Sequence, residues 1–510
     1  MTVAAREAAR PFVLALDVGT SSVRAALYDS AAREVEGARA RVEWSFSTTA
    51  DGGAEVEADA AVALAAGVVD RALTLAEGEG VRRVELLATA CFWHSLVGVD
   101  DEGRAVTPVY GWADTRAASD AAALREQMDE RETHARTGCR FHASYWPAKL
   151  LRIKRERPAE WRAARRWMTF GELLMLRLCG AGAASVSMAS GTGLLNLRAC
   201  EWDAPLATTL GVKAEQLPAL ARDGETFALT EEFAARWPAL RGARVLAPVG
   251  DGAANNIGEA CASRERAALM VGTSAAMRVV YEGEPPASLD PALWCYRADR
   301  RRVAVGGALS DGGGLFAWLK RTLATGARDG EALERALDAT GPDAHGLTVL
   351  PFWSGERSTG WHPFASGAVL GLTAHTRPEE IVRACLEAIA YRLALVARSL
   401  DAHAPGAEVR ASGGALRASP PWAQMISDVL GRPLRLSAAG EASARGAVLL
   451  ALEAAGAIKS VADFEAPAAA AVEPDEARHA VYLRASGRQQ RLYELLVGDQ
   501  QTARLLRTPV

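Results

Sequence analysis

The tetrapeptide Val-Gly-Thr-Ser occurs at 18–21 and again at 271–274, and each copy forms a tight corner between two apolar runs. Residues 14–29 read LALDVGTSSVRAALYD and residues 267–281 read AALMVGTSAAMRVVY, the pattern of two β-hairpins. Corners of this kind present bare backbone N–H groups and small hydroxyls, which hold anions. Two of them aimed into one cleft would grip a polyphosphate from both sides, with Gly19, Thr20, Ser21 and Ser22 on the first corner. A nucleotide between two lobes is the ligand this pattern implies. The chain has no GxxxxGK[ST] and no GxGxxG, so such a grip works without a P-loop lysine and outside a dinucleotide fold.

Two carboxylates stand where such chemistry needs them. Asp17 precedes the first corner at a strand end, where an oxygen ligand can hold Mg²⁺ directly or through its waters; aspartates also cap turns. Asp251, in VGDGAANNIG, follows an apolar strand and precedes a helix, flanked by glycines that let a ligand approach the backbone. It is the candidate general base, and equally a candidate helix cap. Arg24 offers a planar fork for phosphate oxygens, or lies on a solvent face. His94 and Trp112-Ala-Asp114-Thr-Arg116 sit at ends of predicted strands and carry groups suited to hydroxyl recognition. Residues 142–150, HASYWPAKL, mix aromatics with Lys149 as either a polyol pocket wall or a core segment would. Gly-rich turns at 306–314 and 411–422 precede helices and suit an adenosine bed.

The elements that must position these residues alternate in type. Strands are predicted as a pair within 12–29, a further pair within 84–99, and at 243–251, 267–281 and 302–308. Residues 185–202 read as loop and strand. Helical spacing occurs at 60–77, 117–129, 314–325, 378–400, 420–430 and 443–456. In the 420–430 segment Pro420 and Pro421 suit a first turn, Trp422, Met425, Ile426, Val429 and Leu430 form one stripe, and Gly431 with Pro433 stops the helix. Residues 466–474 read as a surface linker to a charged C-terminal helix. The fold class is α/β in both halves, with lobes at 1–250 and 251–510.

Composition narrows the partners. The chain has 510 residues, 49% hydrophobic and 24% charged, enough for more than one core and too apolar for disorder. Net charge is −4 with the signs interspersed and no basic stripe, so a small molecule is expected rather than nucleic acid. No run reaches the ~18–20 apolar residues of a membrane span, and the N-terminus is polar, so a cytoplasmic location is expected without a membrane partner. Seven scattered cysteines without a CxxC pair read as reduced, mostly buried thiols. The oligomeric state is left open, a homodimer among the options.

The order of hairpin, Asp-bearing corner, second hairpin and two Gly-rich turns resembles the FGGY carbohydrate kinases of the actin-like ATPase superfamily, from about residue 12 to 456. The segments that carry the likeness are DVGTSSVRAALYD, WADTR, GDGAANNIG, VGTSAAMR, LPFWSGERSTGW, GAVLGLTAHTRPEEIVRACLEAIA and GGALRASPPWAQMISDVLGRP. The family's C-terminal signature falls on 367–387; its first signature is disturbed by Trp146 and Arg152. The resemblance implies two actin-like (ribonuclease H-like) lobes around a nucleotide and sugar cleft, with ATP and Mg²⁺. It implies Asp17 as the metal-organising carboxylate and Asp251 as catalytic base. Thr20, Ser21, Gly272 and Thr273 would cradle phosphates, and Gly313, Gly414 and Ala418 would lie beneath the nucleotide. His94, Asp114, Arg116, Ser144 and Tyr145 would belong to the sugar site.

Within the family, FWHS (92–95), WADTR, NNIG, Arg278, WCYR (294–297) and GGALSDGG look most like gluconate kinases. A sugar acid needs a cation, and Arg278 beside Arg116 and Lys149 is the expected one. Phosphorylation of D-gluconate at O6 is the implied reaction. A ketopentose such as xylulose or ribulose is the alternative acceptor, and an actin-like switch without transfer is the alternative of another class. The Glu356-Arg357 pair in SGERS resembles the family without a role beyond an expected structural ion pair.

Overall fold

The computed structural model describes residues 1–323, 330–438, 440–499 and 502–503. Its first sheet is built from β1 (Thr2–Val3), β2 (Val13–Val18), β3 (Ser22–Tyr28), β4 (Glu34–Glu43), β5 (Leu86–Cys91), β6 (Thr226–Phe227), β7 (Arg244–Leu246) and β8 (Val249–Gly250). The order is β1-β4-β3-β2-β5-β7-β6, with β8 also on β5. Strands β2, β3 and β4 pair antiparallel in sequence, then β5 adds parallel to β2 and β7 parallel to β5.

The second sheet comprises β9 (Arg266–Val271), β10 (Ala275–Glu282), β11 (Trp294–Arg297), β12 (Arg302–Leu309), β13 (Glu408–Ser412), β14 (Leu434–Ser437) and β15 (Ala468–Val472). Its order is β11-β12-β10-β9-β13-β14-β15. Here β9, β10 and β12 pair antiparallel, β13 adds parallel to β9 and β14 parallel to β13. The run β4-β3-β2-β5-β7 therefore recurs as β12-β10-β9-β13-β14. Both Val-Gly-Thr-Ser corners close the first hairpin of this unit, with Val18 opposite Val23 and Val271 opposite Ala275. The repeated tetrapeptide marks a repeated topology.

Helices cover the sheets and connect them: α1 (Ala58–Gly78), α2 (Ala118–Gln127), α3 (Trp146–Glu156), α4 (Asp251–Gly258), α5 (Gly313–Thr322), α6 (Pro378–Leu400), α7 (Gly414–Ala418), α8 (Pro420–Leu430), α9 (Ala442–Ala454) and α10 (Glu476–Leu496). Local signals place α6 and α8 at the expected bounds. Pro378 and Pro420 open them, and Gly431 ends α8 at φ 63° in the left-handed region. On α8, Trp422, Met425, Ile426 and Val429 are buried, the stripe expected from their spacing. Helix α9 comes late in the chain yet packs on β2 and β5, so Ala444, Ala447, Val448 and Leu452 complete the first core.

Several expectations are corrected. The two strands within 84–99 do not pair with each other: β5 enters the large sheet, while Val97–Val99 pairs with Arg166–Met168. Residues 185–202 open with a helix, Val186–Ser190, because Ser185 Oγ accepts from the Met188 amide and caps it. The 466–474 segment contains an edge strand, β15, antiparallel to β14, rather than a free linker. Strand β11 was not expected. The predicted helix at 314–325 begins at Gly313, and its expected end at 324–325 lies outside the described residues.

Gly67 lies in the middle of α1, and a Cβ built on it meets nothing within 4 Å. Gly67→Ala should raise unfolding stability by ~0.5–1 kcal/mol, since alanine loses less backbone entropy in a helix. Denaturant titration checks this; a drop would show that the site is not open.

Candidate active site

The two hairpin corners face each other across a cleft of about 280 Å³ whose lining includes Asp17, Gly19, Thr20, Ser21, Arg24, Asp251, Gly272, Thr273, Ser274 and Gly414. The Gly19 amide donates to the Ser22 carbonyl at 3.0 Å and the Gly272 amide to the Ser274 carbonyl at 2.9 Å, which fixes both turns. No side-chain hydrogen bond occupies the hydroxyls of Thr20, Ser21, Thr273 or Ser274 among the described residues. They are available to an anion. Behind them, Gly413 at φ +114° lets β13 turn into α7; a Cβ there would lie 2.6 Å from the Val271 carbonyl carbon, so only glycine fits.

Asp17 is the penultimate residue of β2 and is 5% exposed. Arg24, opposite it in the hairpin register, donates from Nη1 to Asp17 Oδ2 at 3.3 Å and to Glu441 Oε2 at 2.7 Å. Burial pushes the Asp17 carboxyl up to about 7 against the pull of Arg24, with Asp251 and Glu441 adding to the rise. Three carboxylates thus converge, with Arg24 bonded to two of them and Arg39 3.6 Å from Glu441. Such an oxygen-rich, negatively charged set fits a hard divalent cation accompanying a polyphosphate. A second acidic group, Asp343, His345 and Glu387, also comes within ligand distance of itself, but Arg488, Arg383 and Tyr391 already donate to its carboxylates.

Asp251 is the first residue of α4, and Gly250 occupies the cap position. The carboxylate accepts from its neighbour's amide, Gly252 N to Oδ1 at 2.8 Å, and lies by the Trp93 amide. Burial raises its pKa to about 6, opposed first by Arg278. Trp93 holds this corner: its ring is wedged among Gly191, Gly250 and Gly252, and a Cβ on Gly252 would lie 2.5 Å from the indole. Its Nε1 donates to Ser187 O at 2.9 Å.

Near Trp112, which lines the cleft, lies a cluster of buried aromatic rings. Trp294 and Tyr296 share a face of β11 and stack at 4.1 Å. The Tyr296 and Tyr145 hydroxyls are 2.6 Å apart, and the His94 ring stands edge-on to Tyr145 at 5.1 Å. His94 adopts φ 68°, an uncommon conformation for a residue with a Cβ, with Nδ1 2.5 Å from Gly191 O. Burial lowers its pKa to about 3, so the ring is neutral. Ser144 Oγ donates to Trp112 O at 2.7 Å.

The expected cations are committed elsewhere. Arg116 Nη2 lies 2.5 Å from both Asp114 and Glu55. Arg278 donates to Asn256 Oδ1 at 3.0 Å and Asn255 Oδ1 at 3.2 Å, which joins β10 to α4 beneath Asp251. Lys149 donates to the carbonyls of His94 and Ser144, and burial pulls its pKa to about 7. Ser22, Gly313 and Ala418 are not part of the cleft lining, and neither are His94, Asp114, Arg116, Ser144, Tyr145 or Arg278. Ser22 is buried and accepts from Arg24 Nε, and Gly313 is packed against the Gly272 carbonyl. Ala418 is exposed at the end of α7. The expected site residues do not include Glu441, which lines the cleft, or the buried rings of Trp93, Trp294 and Tyr296 near it, although the Trp-x-Tyr alternation of β11 carries a signal for the last two. The seven thiols are unpaired, and burial raises all of them, which disfavours a thiolate nucleophile. Among the described residues no helix is long and apolar enough to cross a membrane.

Residues 12–258 match the N-terminal domain and residues 267–455 the C-terminal domain of the FGGY family of carbohydrate kinases. A gluconokinase of Bacillus subtilis (strain 168) is 26% identical over 461 residues, 88% of this chain and 88% of that protein. A xylulose kinase of Escherichia coli (strain K12) is 30% identical over 440 residues, 84% and 88% of the two chains. The crystal structure of a gluconate kinase from Lactobacillus acidophilus superposes with a TM-score of 0.86 at 24% identity, covering 96% of this chain and 99% of that one, and shows the same two-lobed actin-like fold.

Proposed function

This chain belongs to the FGGY family of carbohydrate kinases, and from that premise we propose that it transfers the γ-phosphoryl group of MgATP to O6 of D-gluconate, giving 6-phosphogluconate. The observation that carries the chemistry is one cleft holding both hydroxyl-bearing hairpins and Asp251. The likeness to gluconokinases supports the acceptor.

The two corners grip the phosphates through their amides and the hydroxyls of Thr20, Ser21 and Thr273. The Gly413-Gly414 turn supports the adenosine. Asp17 would hold Mg²⁺, which neutralises phosphate charge when bound. Asp251 accepts the proton of the acceptor hydroxyl as that oxygen attacks phosphorus, and ADP leaves. Transfer of this kind is loose and charge-spread, so positioning and electrostatics supply most of the rate. Arg278 and the Gly252 amide keep Asp251 in place, and Trp93 fixes the turn that carries it. The two family domains meet between residues 258 and 267, so closing them would bring acceptor and ATP together while excluding water. We place the reaction in the cytoplasm, where ATP is supplied.

The 30% identity to a xylulose kinase favours one second reading, a ketopentose acceptor. ADP release with MgATP across D-gluconate, D-xylulose, D- and L-ribulose, glycerol and no sugar separates the two. Gluconate should give kcat/KM at least ~10-fold above any ketose, as expected where a site pairs with a charge its competitor lacks. A larger ketose value would overturn the acceptor assignment.

A further inference from the structure

The SGERS segment has no part in the scheme above. Its Glu356 is fully committed: it accepts from Arg392, from Tyr493 at 2.8 Å and from the amides of Gly360 and His362, each at 3.1 Å. The ion pair expected between Glu356 and Arg357 does not form, because Arg392 takes its place. Arg357 turns the other way. It is 7% exposed, with its guanidinium 4.5 Å from the centre of the Trp112 ring and Nη2 donating to Leu309 O at 2.9 Å. Its buried Nε has no hydrogen-bond partner, and no carboxylate pairs with it among the described residues.

A buried guanidinium without a counter-ion is costly, and the cost is removed if a ligand brings the negative charge. Arg357 does not itself line the cleft; it lies behind a residue that does. Trp112, on which Arg357 stacks, lines the cleft that holds Asp251. The acidic groups near enough to affect Arg357 are Asp251 and Asp311, with the hydroxyls of Tyr145 and Tyr296. Asp311 is held by the Ser354 amide at 3.0 Å and hydroxyl at 2.9 Å, and Asp251 is assigned to the reacting hydroxyl. Arg116, Arg278 and Lys149 are each already bonded within the protein.

We propose that Arg357, stacked on Trp112, receives the carboxylate of the sugar acid, at the end of the acceptor remote from the hydroxyl that Asp251 serves. This rests on the sugar-acid reading above. A planar fork with unused N–H groups suits a carboxylate better than an ammonium would.

Steady-state kinetics of Arg357→Gln with D-gluconate and MgATP tests it. The KM for gluconate should rise ~10–100-fold, the worth of hydrogen bonds to a charged group, while kcat and the KM for MgATP stay within about threefold. Arg357→Lys, which keeps the charge without the fork, should restore part of the gluconate KM. An unchanged gluconate KM, or a parallel loss in all three constants, would overturn the assignment. If the Gln variant does not fold, the Lys variant decides: a gluconate KM raised ~3–10-fold at native kcat supports the role, and a native KM rejects it. Native protein that phosphorylates no sugar acid would remove the substrate reading and this inference together. Native protein that uses gluconate, with a Gln variant of native KM, would remove only the inference.

Discussion

Asp251→Asn should bind MgATP and gluconate about as well as the native chain and turn over ~10²–10⁴ times more slowly, the usual worth of a positioned base. The amide preserves the shape of the α4 corner and can still accept from the Gly252 amide, so the loss isolates proton acceptance. Single-turnover phosphorylation alongside equilibrium binding of both substrates measures the two effects separately. Native turnover in the variant would remove Asp251 from the chemistry, and a loss of binding equal to the loss of rate would make it a structural residue.

The pH dependence follows from the same carboxylate. In the proposed role only ionised Asp251 accepts a proton, and burial holds its pKa at about 6, so kcat/KM should fall as pH drops through that value. Asp17, at about 7 and raised in part by Asp251, titrates with it, so the acid limb belongs to the pair. Replacing Asp251 by Asn removes a negative neighbour and should lower the Asp17 pKa. Stability moves the opposite way to activity. A carboxyl raised above its ordinary 3.8 binds more protons folded than unfolded between pH 4 and its folded value, so stability falls as pH rises through that window and the penalty is complete above it. Asp251 faces the cleft, and a shift to about 6 corresponds to at most ~3 kcal/mol. The Asn variant without substrates should therefore melt higher than the native chain at pH 8 and no higher at pH 4. The reverse order would contradict the burial argument.

What could be read from the residues divides by the range of the interactions involved. The two Val-Gly-Thr-Ser corners, the α8 stripe and the Pro-start, Gly-stop bounds are set within a few residues, and they stand where local chemistry puts them. Strand β15 looks like a linker in sequence because its pairing partner, β14, is about thirty residues away, and an alanine-rich edge strand has little alternation to betray it. The same limit applies in the site. Arg278 sits beside the second hairpin as expected, but its attachment to Asn255 and Asn256 depends on α4 crossing beneath β10. Arg116 looks free for the acceptor in sequence because Glu55, its second partner, approaches only when the chain folds. A count of cations near a cleft does not say which are free.

The crossing of α4 and α9 is where one added methyl should do most damage. Gly446 on α9 packs against the backbone of α4: its Cβ would overlap the Ala254 carbonyl oxygen and come within 2.6 Å of that carbon and 2.9 Å of Gly258 N. Gly258 makes the reciprocal contact, its Cβ meeting the Ala442 backbone. All these neighbours are main chain, so no rotamer change relieves them. Gly446→Ala must push the helices apart, and overpacking of this kind costs ~1–3 kcal/mol or more. Helix propensity would favour the alanine by only ~1 kcal/mol. The displacement also reaches the chemistry, because α4 begins at Asp251 and α9 lies on β2, whose penultimate residue is Asp17. A shift of about 1 Å between reacting groups can cost ~10²-fold in rate. We therefore expect Gly446→Ala to lower the thermal midpoint and to reduce kcat by about two orders of magnitude even in the folded fraction. Gly487→Ala, on α10 with open space around its Cβ, is the matched control and should do neither. A Gly446→Ala protein with native midpoint and turnover would show that the two helices can separate freely, and that the carboxylates are not held in register through this crossing.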